Sequence, residues 1–127
     1  MQNYLSCIIT HGSLASSLKA VAGKLVSIPT ELFCYSNQES SLDVIEESIH
    51  TLIAEKKPDK ILLFVDLMGG SCWISANRIK RQDENITVIS GVSVPMLISY
   101  FINYERLQWN ELIEKIKADA LKGVVVK

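Results

Sequence analysis

The chain has 127 residues, 48% of them hydrophobic and 7% aromatic, with a formal net charge of −1. That length predicts one domain, residues 1–127, with a proper core, and the composition is that of an aliphatic-rich α/β protein. The balanced charge supplies no basic surface, which disfavours nucleic acid as a partner.

Tyr4 to Ile9 reads as a buried strand, followed by Thr10-His11-Gly12-Ser13. Leu14, Leu18, Val21, Ala22 and Leu25 then mark one face of a helix from Ser13 to Val26, with Pro29 beyond as its stop. Glu31 to Tyr35 reads as a second strand, and Ser36 to Ser41 is polar turn material with good helix caps. Leu42, Ile45, Ile49, Leu52 and Ile53 set a second helical period, broken at Pro58-Asp59. Lys60 to Leu67 is a third strand, apolar enough to be covered on both faces.

Met68-Gly69-Gly70-Ser71 makes a tight corner into a helix through Ile74, Ala76 and Ile79. Asn85 to Ser90 is the fourth strand, and Pro95 suits the first turn of the next helix, where its missing N–H costs nothing. Asn110 is placed to cap a last helix carrying Leu112, Ile113, Ile116 and Ala120, which Gly123 stops. Val124 to Val126 then reads as a short final strand.

Cys7, Cys34 and Cys72 are odd in number and widely spaced, with no metal-type pairing, so reduced thiols in a cytosol are expected. The amino terminus has no signal-peptide pattern, and the Ile61 to Val65 run is too short to cross a bilayer. A soluble, cytoplasmic protein is expected.

Strands alternating with helices predict a parallel sheet with right-handed crossovers. In the flavodoxin-like order 2-1-3-4, strands 1 and 3 are neighbours and their helices leave on opposite faces. That order would set His11 beside Asp66 at the point where ligands bind. A carboxylate accepting a hydrogen bond from one ring nitrogen fixes the tautomer and leaves the other nitrogen nucleophilic. Gly69-Gly70-Ser71 permits close backbone approach, and the helix starting near Ser71 would point free N–H groups into the same crevice, which favours a phosphoryl group.

Simpler readings compete. A corner histidine is often just a hydrogen-bond partner, an Asp after a strand a helix cap, and Gly-Gly a turn. His50, amid polar helix positions, reads as solvated. Dinucleotide and P-loop fingerprints are missing, as is a GxSxG elbow that would make Ser71 a hydrolase nucleophile. A phosphoacceptor Asp66 would want acidic Mg²⁺ partners at the end of the first strand, where Thr10-His11 stands. Cys72 at a helix start could carry a lowered pKa, but the plainer reading is packing.

Thr10-His11-Gly12, Val65-Asp66-Leu67-Met68-Gly69-Gly70-Ser71 and Ser90-Gly91-Val92-Ser93-Val94-Pro95-Met96-Leu97 together resemble the three signature segments of the mannose-type (mannose/fructose/sorbose) enzyme IIA of the bacterial phosphotransferase system. The resemblance spans essentially the whole chain. It implies a flavodoxin-like three-layer sandwich, with four parallel strands plus a short antiparallel edge strand. Val124 to Val126 would supply that strand, exchanged within a homodimer. It also implies that His11 accepts a phosphoryl group from the phosphocarrier HPr and passes it to a IIB domain, with membrane IIC and IID components as indirect partners. Asp66 would orient the ring, and Gly69, Gly70 and Ser71 would hold the phosphate, with no metal or organic cofactor.

The family usually continues Gly-Gly-Ser with Pro-Phe-Asn, where this chain has Cys72-Trp73-Ile74, and usually has Asn in place of Ser93. Met68, Cys72, Trp73 and Ser93 are therefore assigned to a partner-facing rim that has changed. Three alternatives stay open: a regulatory phosphoprotein of the same system uncoupled from transport, the phosphotransfer subunit of dihydroxyacetone kinase, and a small-molecule-binding module. The intact Gly69-Gly70-Ser71 and Pro95-Met96 segments argue against the second. Neighbouring IIB, IIC and IID genes would separate transport from regulation.

Overall fold

The computed structural model describes residues 3–28 and 31–127. In chain order the elements are β1 (Tyr4–Thr10), α1 (Leu14–Leu25), β2 (Leu32–Ser36), α2 (Leu42–Lys56), β3 (Lys60–Val65), α3 (Ser71–Lys80), β4 (Ile86–Ile89), α4 (Val94–Asn103) and α5 (Trp109–Lys122). The four strands form one parallel sheet in the order β2-β1-β3-β4, as expected.

Strand alternation divides the core into two layers. Tyr4 and Ile8 of β1 and Leu62 and Phe64 of β3 face α1, α4 and α5, where Leu18, Tyr100 and Leu112 pack on them. Leu5, Cys7 and Ile9, with Ile61, Leu63 and Val65, face α2 and α3, meeting Ile45, Ile49, Ala76 and Ile79. Every residue of β1 is buried, which a central parallel strand with helices on both sides requires. The helices that follow β1 and β3 therefore depart on opposite faces, which makes the carboxyl ends of those two strands the switch point of the sheet.

Local chemistry sets several boundaries. Ser41 caps α2, its hydroxyl accepting from the Val44 amide, and Lys57 closes that helix in the left-handed region at φ 46°. Ser93 caps α4 through the Met96 amide, with Pro95 in the first turn. Trp109 rather than Asn110 opens α5, with Gln108 as the extended residue before it. β3 stops at Val65, so Asp66 and Leu67 belong to the corner and not to the strand. The expected stop at Pro29 lies outside the described residues.

Two features depart from the sequence pattern. In α1 the buried positions are Ala15, Leu18 and Ala22, whereas Leu14, Val21 and Leu25 are exposed. The small alanines let the helix lie close on the sheet, so the contact stripe is turned toward them. The C-terminal edge strand does not form within the single chain. Among the described residues, Val124, Val125 and Val126 pair with no strand, and they are mostly exposed.

Candidate functional site

His11 follows directly on β1 and Asp66 directly on β3. The parallel register, which pairs Ile9 with Val65, places the two side by side although 55 residues separate them. One carboxylate oxygen, Asp66 Oδ2, stands 2.9 Å from the His11 amide nitrogen and 2.9 Å from ring Nδ1. The same atom thus anchors both the backbone and the ring of His11. An ionised carboxylate only accepts, so Nδ1 carries the proton and Nε2 is left with a lone pair. The His11 side chain is 45% exposed and that of Asp66 14%, so a half-exposed ring stands over a sheltered carboxylate.

Burial pushes the Asp66 carboxyl upward, but hydrogen bonds from the His11 amide and ring, with the electrostatic pull of the imidazole, outweigh it. They hold the group below the usual carboxylate range. Asp66 is therefore ionised at neutral pH, as the tautomer argument requires.

Ser71 Oγ lies 3.2 Å from His11 Nε2. Ser71 is the first residue of α3, and the first intrahelical bond at this end is donated by Ile74 to the Gly70 carbonyl. The amides of residues 71–73 thus belong to a helix N-terminus, where no earlier turn is there to accept from them, and Ser71 brings that end to Nε2. The glycines have separate duties. Gly69 turns the corner at φ +84°, and Gly70 passes so close that an added Cβ would stand 3.2 Å from the Leu67 carbonyl oxygen and 3.4 Å from His11 Cε1. Of the five residues assigned to phosphate chemistry, Asp66, Gly70 and Ser71 stand around the His11 ring, and Gly69 turns the corner that brings Gly70 and Ser71 there.

The rim residues divide. Met68 is 69% exposed and Trp73 half-buried. Ser93 spends its hydroxyl capping α4. Cys72 is not on the rim at all. It is fully buried beneath the ring, its Sγ 4.0 Å from Nδ1, and burial followed by the charge of Asp66 pushes its thiol up. The second position of α3 points down into the α2–α3 layer, so only Trp73 and Ile74 of the Cys72-Trp73-Ile74 departure reach the surface.

Two supporting residues escaped the sequence reading. Thr10 Oγ1 accepts the Ala15 amide at 2.8 Å, and Asn37 Oδ1 accepts the Gly12 amide at 3.3 Å. Together they clamp the loop that carries His11, with Gly12 at φ +57°. The usable signal was an Asn in the polar turn after β2, since that turn sits on the same sheet edge as His11.

The fold and its site together define a doubly wound α/β protein with a carboxylate-anchored histidine beside a helix N-terminus. Comparison with known proteins narrows the class. The family model described as "PTS system fructose IIA component" matches residues 7–117. The chain belongs to that family, the enzyme IIA components of the phosphotransferase system. It is 26% identical to the sorbose-specific EIIA component of Klebsiella pneumoniae over 91% of this chain and 86% of that protein. Identity to the fructose-specific EIIA component of Bacillus subtilis is 23%, over 90% and 80%.

Solved structures share the fold. A phosphotransferase system EIIA component from Streptococcus agalactiae superposes with a TM-score of 0.86 at 16% identity, covering 97% of this chain and 96% of that one. A mannose/sorbose-specific IIA subunit from Enterococcus faecalis gives 0.82 at 18% identity, over 100% and 96%. The family assignment makes this chain a phosphotransferase-system component of the mannose/fructose/sorbose type, with a phosphotransfer role in sugar handling. Among the described residues, no helix is long and apolar enough to cross a membrane.

Proposed function

We propose that residues 1–127 act as a single mannose-type IIA domain, a phosphohistidine carrier. It accepts a phosphoryl group from HPr on His11 Nε2 and delivers it to a IIB domain that phosphorylates sugar during uptake through IIC and IID membrane components. The observation that carries this reading is the double anchoring of His11 by Asp66 Oδ2, which leaves Nε2 bare and facing the start of α3.

In the forward step the Nε2 lone pair attacks phosphorus and the N–P bond to the HPr imidazole breaks. The ring gains positive charge as it is phosphorylated, and the carboxylate 2.9 Å from Nδ1 offsets that charge. The Ser71 hydroxyl and the free amides of α3 receive the phosphoryl oxygens. Transfer to IIB runs the same path in reverse. Exposed Leu67 and Met68, with Leu14 and Ile74, give the crevice an apolar rim for docking two successive partners.

The reading is tested by incubating the chain with enzyme I, HPr and labelled phosphoenolpyruvate. The chain is expected to take the label stoichiometrically, and a chain that takes none overturns the proposal. Ser71→Ala removes one neutral hydrogen-bond donor, so it is expected to slow labelling between about twofold and tenfold, read from rapid-quench time courses.

The same reading includes a homodimer. β4 leaves one edge of the sheet unpaired, and beside it a cavity of about 550 Å³ is lined by Trp73, Val88, Pro95 and Leu121. Three consecutive exposed valines, 124–126, stand next to it. A valine-rich segment without a partner and an open edge without a neighbour are complementary when two copies exchange tails. Light scattering should give twice the chain mass for the full protein and the single mass after removal of residues 124–127.

A further inference from the structure

Beneath the transfer site, the buried Cys72 adds to His11 and Asp66 a third donor that the carrier function does not use. We propose that His11, Asp66 and Cys72 form an inhibitory site for a thiophilic divalent cation, Zn²⁺. One ligand atom from each of the three residues lies within 4.8 Å of the other two. Nδ1 stands 2.9 Å from Asp66 Oδ2 and 4.0 Å from Cys72 Sγ. A tetrahedral zinc ion holds N, O and S donors about 3.3–3.6 Å apart, so small rotations of an exposed ring would seat it. A thiolate, an imidazole and a carboxylate form a mixed set that suits Zn²⁺ and excludes Mg²⁺ or Ca²⁺, which take oxygen.

Two further features point the same way. Asp66 Oδ1 is buried and accepts no hydrogen bond from any other described residue. Cys72 is the second residue of α3, and its buried sulfur stands beneath the His11 ring rather than in the surrounding core alone.

Inhibition follows from proton placement. Zinc on Nδ1 displaces the ring proton shared with Asp66. The neutral ring then carries its single hydrogen on Nε2, the nitrogen that must be bare to attack phosphorus. The thiol proton leaves to solvent, so binding releases one proton per ion and removes the nucleophile without touching it. This consequence rests on the carrier function proposed above, whereas the metal site itself does not.

The test uses the full reduced chain and Co²⁺ as a spectroscopic stand-in. One equivalent should produce a near-ultraviolet sulfur-to-cobalt charge-transfer band with tetrahedral visible bands, abolished by Zn²⁺ and reversed by a chelator. Cys72→Ser should remove the charge-transfer band and weaken Zn²⁺ at least about tenfold. His11→Ala, which changes only a half-exposed ring, should weaken it by a similar factor, and His50→Ala should change nothing. No thiolate band in the wild type, or a band that survives Cys72→Ser, overturns the site. Stoichiometric Zn²⁺ should then stop phosphoryl labelling of the wild type. Labelling that persists with the site filled overturns the inhibitory role, and a chain never labelled under any condition overturns the carrier function while the cobalt spectrum still decides the metal.

Discussion

His11→Ala is expected to lose phosphoryl label by a factor on the order of 10⁴ or more, because it removes the ring nitrogen proposed above to form the N–P bond. The fold should survive. Asp66 Oδ2 accepts from the His11 main-chain amide as well as from the ring, so alanine keeps half of the anchor that holds the β1–α1 corner. The lost ring bond is half-exposed and should lower stability by no more than about 1 kcal/mol, read from urea denaturation. The chemistry of the label makes the result specific. A phosphoramidate is cleaved by acid and resists base, whereas an ester on the neighbouring Ser71 would resist acid. Acid-labile label in the wild type that vanishes in the variant assigns the acceptor, and acid-stable label that persists would move it to a hydroxyl.

Most of the fold was legible because its two periodicities are clean. The apolar runs at Leu5 to Ile9 and Ile61 to Val65 can only be central strands, and Ile45 with Ile49 can only face a core. The neighbouring of His11 and Asp66 was legible only through strand order, since no local pattern joins residues so far apart. Once β1 and β3 are adjacent, their register decides the rest.

What escaped the sequence reading depends on direction rather than on residue type. The departure from the family pattern put Cys72 on the rim, but one residue along a helix from Ser71 is about 100° of rotation, and its burial agrees instead with the plainer reading of Cys72 as a packing residue. Thr10 and Asn37 act through backbone amides of the loop, and such bonds have no signature in composition. In α1 the larger side chains suggested the wrong edge of the stripe, because the sheet accepts Ala15 and Ala22 at closer range than leucine allows. Val124 to Val126 carry strand character that a single copy of the chain has no means to satisfy.

Asp66→Asn should slow labelling by about 10²–10⁴-fold while leaving His11 in place, a loss of roughly 3–5 kcal/mol from the barrier. Two effects add. The amide carries no charge to offset the positive ring formed when Nε2 is phosphorylated, and its NH₂ group can turn toward Nδ1 and force the ring proton onto Nε2, the unproductive tautomer. The pH dependence separates this from simple loss of structure. The Asp66 carboxyl is held below its ordinary value of 3.8, so its contribution is fully present above that value and is lost as pH falls through the lower folded one. The wild-type labelling rate should therefore show no step from Asp66 itself anywhere above about pH 5. Asp66→Glu keeps the charge but lengthens the arm, and should recover part of the rate if charge is the larger effect. A variant labelled at the wild-type rate would mean that Ser71 and the α3 amides orient the imidazole without the carboxylate.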